Sequence, residues 1–377
     1  MQLLIQLLTS YSQVISSFFY IGIVLVIYLR IQRNARLEED WLGILRNPVN
    51  TQLYYVLLYG LIGGIVTSFI ILFLKIRIEY EAILIIWPIS LFLMLFNPRY
   101  LCPSYSIGIV SLMSLVFGWP RMEVLPMIIL VGILHLVESL LILIDGARDS
   151  IPVYMEHHRF TPAGAHIMNK MWPIPLAIIT TPGQLVFPAV LVLIYEDQAI
   201  TQTTHKRIRE SSFWVGVYGL TLLILAMLSN LVKELVYLAA IVIPLLHEFL
   251  VFWNRQAQLK GEPVFKAPWR GIRILDVLPE KVGKFMGLKQ GDIILSINGR
   301  QVNSEAMLEE ILRDSPNLIW VTVLRENGET MELEYRDYER GIRDLGLMLV
   351  PRSTGKYYPF KHPKGLLSRL WDNYFSG

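Results

Sequence analysis

Eight apolar runs crowd the first 253 residues, and they constrain the fold more than any other feature of the chain. They are Val14–Ile31, Tyr54–Ile76, Ala82–Phe96, Tyr105–Trp119, Val124–Ile144, Ile174–Tyr195, Phe213–Ser229 and Leu231–Trp253. A membrane-spanning helix takes roughly 20 apolar residues. Charged residues make up 17% of the chain and hydrophobic residues 54%, whereas soluble domains carry about 25% charge. No long polar tract separates the runs, so they read as one polytopic α-helical membrane bundle. The first run lacks a small-residue cleavage site and is followed by Arg30, Arg33 and Arg36, the pattern of an uncleaved anchor.

The sixth run is interrupted by Thr180-Thr181-Pro182-Gly183-Gln184, with Pro173, Pro175 and Pro188 around it. Proline and glycine break helical hydrogen bonding, and in lipid the freed groups must be satisfied by protein. The segment is therefore either a kinked span or a re-entrant hairpin. With re-entry and an external N-terminus, Arg30, Arg33, Arg36, Arg46, Arg99, Arg148, Arg159, Lys170, Lys206, Arg207 and Arg209 fall inside. Only Lys75, Arg77, Arg121 and Lys233 then fall outside. That asymmetry favours seven spans plus a broken segment, with the C-terminal part in the cytoplasm. The formal net charge of +3 is too small to suggest nucleic acid, and topology already accounts for the basic residues.

After Trp253 the composition changes. Residues 254–268 form a polar, proline-containing linker, 269–351 a small mixed α/β domain, mainly β, and 352–377 a basic-aromatic tail. Gly271–Leu278 alternates apolar and polar; Ile293–Ile297 is an apolar strand run that stops at Asn298-Gly299, a tight-turn pair. Asn303 or Ser304 is placed to cap a helix bearing Leu308, Ile311 and Leu312. Leu318–Leu324 and Thr330–Tyr335 form a hairpin across Asn327-Gly328. In the tail, Leu366, Leu367, Leu370, Trp371, Tyr374 and Phe375 share one helical face, suited to packing on its own domain, to anionic lipid or to a partner helix.

Between the first two strands stands Met286-Gly287-Leu288-Lys289-Gln290-Gly291-Asp292. Strand, Gly-Leu-x-x-Gly-Asp, strand, Asn-Gly, helix and hairpin follow in the order found in bacterial PDZ domains, and residues 270–336 resemble that family. The resemblance implies a groove between one strand and the helix in which bound peptide adds a strand. Its hydrophobic-Gly-hydrophobic loop matches Ala267-Pro268-Trp269-Arg270 poorly and Leu345-Gly346-Leu347-Met348 better. Folding back of that segment would make a permuted groove, with Met307 and Ile311 lining it. The competing reading is an extra strand with no role in carboxylate capture.

Many membrane PDZ proteins are proteases, but the protease motifs are incomplete in this chain. His247-Glu248 begins like His-Glu-x-x-His, but residue 251 is valine, so the second ligand on that helix face is missing. Cys102, the single cysteine, offers neither a disulfide framework nor a Cys-type metal motif. His135 and Glu138 share a helix face inside the fifth run, where ionisable groups either serve a path or satisfy each other. Nucleophile elbow, Walker and dinucleotide motifs are missing. The expectation is a protein that is not an enzyme, with no cofactor and no metal.

Membrane spans followed by a cytoplasmic PDZ domain, without a protease motif, resemble the MinJ family of cell-division topology determinants of Firmicutes. That resemblance implies an adaptor at poles and septa, linking partners of the DivIVA and MinD type, and through MinD the inhibitor MinC. It leaves the oligomeric state open. The alternatives are a PDZ-containing membrane protease or protease regulator, and a transporter with a regulatory domain.

Overall fold

The computed structural model describes residues 2–181 and 185–359. Helix α1, Gln2–Ser16, stops where Ser17 turns extended and caps α2, Phe18–Leu42, by accepting from the Tyr20 N–H; Gly43, at φ 71°, ends α2. Helix α3 is Val49–Phe73, followed by strand β1, Arg77–Glu79, and helix α4, Tyr80–Met94. A 3-10 turn at Pro98–Leu101 leads into α5, Pro103–Phe117, and α6, Val124–Asp145. Strands β2 (Ile151–Met155), β3 (Ala163–Thr181) and β4 (Leu185–Ala199) precede α7, Thr204–Leu231, and α8, Leu235–Lys260.

Among the described residues five helices, α2, α3, α6, α7 and α8, are long and apolar enough to cross a membrane. Where the sequence reading counts seven crossings, the third and fourth runs form only 15-residue helices, α4 and α5. At 1.5 Å per residue each is about 22 Å long, short of a ~30 Å hydrocarbon core. They double back on each other: Ser90 Oγ donates to Ser106 Oγ at 2.7 Å. Their turn lies beside the middle of α6 and of α8, where Cys102 Sγ is 3.6 Å from both His135 Nε2 and His247 Nε2.

In its described residues the sixth run is strand and not helix, which corrects the expectation of an all-helical membrane body. It folds as part of an antiparallel ribbon in which His166–Thr180 pairs with Leu185–Ala199. β2 pairs with the base of β3 and β1, in parallel, with its far end. The ribbon starts and finishes at one end of the bundle, as the re-entrant alternative requires. The interrupting Pro182-Gly183-Gln184 lies outside the described residues.

A strand edge inside an apolar bundle leaves N–H and C=O groups that need partners. Between β2 and β1 the edge of β3 faces α3, and its sequence there is Pro173-Ile174-Pro175-Leu176-Ala177. Alternate residues turn their backbone the same way. Two of the three outward positions are prolines, which have no N–H, and the third, Ala177, donates its N–H to Ser68 Oγ at 3.0 Å. Helix α3 approaches closely because it offers glycines. A Cβ on Gly60 would lie 2.3 Å from the Pro173 carbonyl oxygen, and one on Gly64 2.1 Å from that of Pro175.

The C-terminal domain has the elements its turn pairs imply. They are β5 (Ile272–Val277), α9 (Val282–Phe285), β6 (Ile293–Ile297), β7 (Arg300–Gln301), α10 (Glu305–Arg313), β8 (Leu318–Leu324), β9 (Thr330–Arg336) and β10 (Leu347–Leu349). The sheet order is β10-β5-β6-β8-β9, with β7 paired to β6. Ile274, Ile294, Ile297, Val321 and Val323 are fully buried at its centre. The tail face expected over residues 366–375 lies outside the described residues.

Candidate functional site

The segment after the β8–β9 hairpin does fold back. Its strand β10 pairs antiparallel with β5 and forms an edge of the sheet. Between β10 and α10 runs a groove of about 660 Å³ lined by Leu308, Leu312, Leu345, Leu347 and Leu349, with Glu305, Glu309, Arg313, Arg343 and Asp344 along its rim. Of the six residues expected to bind peptide, Leu345 and Leu347 line this groove. Gly346 sits between them at φ 65°. Met348 faces away, packed with Phe265, Leu275 and Val350, because successive strand side chains alternate. Met307 is exposed and Ile311 rests against the domain core, since the face of α10 turned to β10 carries Leu308 and Leu312 instead.

The backbone of the Leu345–Leu347 loop is largely engaged. Asp344 Oδ1 accepts from the Gly346 N–H at 2.7 Å. The Leu345 carbonyl accepts from the Gly283 N–H and the Gly346 carbonyl from the Leu278 N–H, each at 2.8 Å. Asp292, in the Gly-Asp string, is a fold-building residue: it accepts from the Lys289 N–H at 2.9 Å and pairs with Arg325 at 2.6 Å. Burial pushes its carboxyl up from the ordinary range, opposed by those same two contacts.

One end of the groove meets the membrane body. Tyr154 of β2 donates its hydroxyl to the Leu349 carbonyl at 2.7 Å, and burial pushes that hydroxyl's pKa up. Behind β10, Asp276 accepts from Arg46 Nη1 at 2.8 Å and from Gln290 Nε2 at 2.9 Å. Thr204, at the start of α7, donates to Gln290 Oε1 at 2.6 Å. The turn after α2, strand β2 and the start of α7 thus hold the domain together, a polar contact that the sequence gives no means of pairing.

A second polar centre lies inside the bundle. Cys102, His135 and His247 bring one potential ligand atom each to within 4.8 Å of one another. Glu138 Oε2 lies 3.5 Å from His135 Nε2. Three elements supply them: the turn before α5, helix α6 and helix α8. Only His135 and Glu138 share a helix face, so the sequence pairs those two and not the others.

Fold and site define a class: a multi-pass membrane protein carrying a mixed-sheet C-terminal domain docked on one end of its bundle. Among curated proteins, this chain is similar to two named probable cell division topological determinant MinJ. One is from Lacticaseibacillus paracasei and the other from Lacticaseibacillus casei, each 22% identical over 361 residues, covering 89% of this chain and 96% of the relative. It is also similar to the cell division topological determinant MinJ of Bacillus subtilis, 23% identical over 252 residues and 62% of each chain. No family model matches.

Proposed function

We propose that this chain is a membrane-anchored, non-catalytic adaptor in division-site selection, and that its C-terminal domain is a PDZ domain. The observation that carries the reading is the similarity, spread over 89% of the chain, to proteins named as cell division topological determinants. The groove between β10 and α10 supplies the contact. Asp344 already occupies the Gly346 N–H, so an extended internal segment adding to β10 suits the site better than a captured carboxylate. Partners of the DivIVA and MinD type are the proposed ligands, at poles and septa. The C-terminal domain is cytoplasmic in this reading. Its end of the bundle carries Arg33, Arg36, Arg46, Arg148 and Arg159, as the positive-inside rule favours. The mechanism is positioning: confinement to the bilayer raises the groove's effective concentration near membrane-bound partners.

The test is a fluorescent fusion of the full chain carrying Leu347→Lys. Loss of polar and septal enrichment with membrane insertion intact is the expected result. Unchanged enrichment removes the groove from the mechanism. Cysteine accessibility that places residues 272–349 outside the cell overturns the adaptor reading itself.

A further inference from the structure

We infer that Cys102, His135, His247 and Glu138 form a binding site for a divalent transition-metal ion of the zinc type within the membrane bundle. The geometry comes first. In a tetrahedral zinc site, bonds of ~2.3 Å to sulfur and ~2.0–2.1 Å to nitrogen place neighbouring ligand atoms about 3.5 Å apart. Cys102 Sγ is 3.6 Å from His135 Nε2 and 3.6 Å from His247 Nε2, and these three atoms lie within 4.8 Å of one another; Glu138 Oε2, 3.5 Å from His135 Nε2, stands beside the trio and has to move in to serve as the fourth ligand.

The hydrogen bonds behind the imidazoles aim them. His135 Nδ1 is 2.8 Å from the Val131 carbonyl oxygen, which only accepts, so the proton sits on Nδ1 and Nε2 keeps its lone pair. Tyr105 donates its single proton to Glu248 Oε2 at 2.8 Å and therefore accepts from His247 Nδ1 at 3.0 Å. The second Nε2 is likewise left as a lone pair. Such outer partners are how proteins orient metal-binding histidines.

Protons from the chain close part of this network. The Ser104 hydroxyl lies 3.2 Å from His135 Nε2, and the Cys102 thiol has one hydrogen for His247. Nothing is then left for Glu138 Oε2, which is buried without a hydrogen-bond partner. A divalent cation satisfies all four groups. Thiolate and carboxylate balance its two charges, so the filled site is neutral in surroundings where net charge is costly. A cavity of about 320 Å³ reaches the cluster from the rim formed by Arg30, Arg33, Glu196 and Arg255, which gives an ion a way in.

The experiment uses the full chain in detergent or nanodiscs, stripped with chelator and titrated with Co2+ and then Zn2+. One Co2+ per chain, with a sulfur-to-metal charge-transfer band that Zn2+ abolishes, is expected. Cys102→Ser should lose the band, and Glu138→Gln should weaken binding at least tenfold. The folding of each variant is checked by its helical circular dichroism. Wild-type protein that takes up no Co2+ or Zn2+ overturns the proposal. So does a folded Cys102→Ser variant that keeps the full band.

Discussion

The helical pair α4–α5 and the strand pair β3–β4 both double back inside the apolar body, but they leave different groups to be satisfied. In the helices the backbone bonds run within each segment, apart from the one that Pro88 removes inside α4, so the pair is joined by side-chain contacts such as the Ser90–Ser106 bond. The ribbon bonds across strands and leaves an outer edge on each: that of β3 facing α3 is closed by prolines at 173 and 175, by Ser68 and by two glycines of α3, and on β4 Ser10 of α1 donates to the Val186 carbonyl at 3.3 Å. A strand pair in this setting therefore depends on a neighbouring helix for its backbone, whereas a helix pair does not.

The sharpest way to break that contrast is at the glycines. Gly64→Val drives a side chain into the Pro175 carbonyl, fixed backbone of the ribbon, whereas Gly108→Val meets the Pro244 ring on α8. Overpacking costs about 1–3 kcal/mol in general. Gly64→Val is expected at or above the top of that range and Gly108→Val below it, read as thermal unfolding of the full chain in detergent. Ser68→Ala comes next. It strands the Ala177 N–H and should cost about 1–3 kcal/mol, with faster hydrogen exchange at Ala177. Ser90→Ala should be smallest, about 0.5–1.5 kcal/mol, with no change in backbone exchange. An equal exchange response to Ser68→Ala and Ser90→Ala would erase the distinction.

The same contrast decides what could be read from sequence. The five long spans were legible because their apolar runs fall within the ~17–25 residues that a bilayer crossing takes. The ribbon was half legible: prolines and glycine marked a break, but Ile, Val and Leu fill buried strands and membrane helices alike. The clue was present in the alternation of Pro173, Pro175 and Ala177, which has the period of a strand. In the C-terminal domain, Asn298-Gly299 and Asn327-Gly328 marked the turns and the strands followed. Of the residues expected to bind peptide, Leu345 and Leu347 line the groove between β10 and α10; Leu308 and Leu349 line it next to Met307 and Met348, because neighbouring positions on a helix or strand face different ways. The His135–Glu138 pair was legible from its spacing on one helix, but its meeting with Cys102 and His247 was not, because Cys102 stands 33 positions from His135 and 145 from His247.

The connection after α8 also has a mechanical consequence. Its Val264 N–H donates to the Ile200 carbonyl at 2.9 Å, and the Phe265 carbonyl accepts from the Gly164 N–H at 2.6 Å. The segment is laid along the ribbon's base as a seam. A domain on a loose leash sweeps a volume and meets partners at many heights and angles. This one is mounted like a bracket, with a set standoff and a set facing. Whatever uses the β10 edge has to come to the bilayer in one orientation, and it has to share that edge with Tyr154.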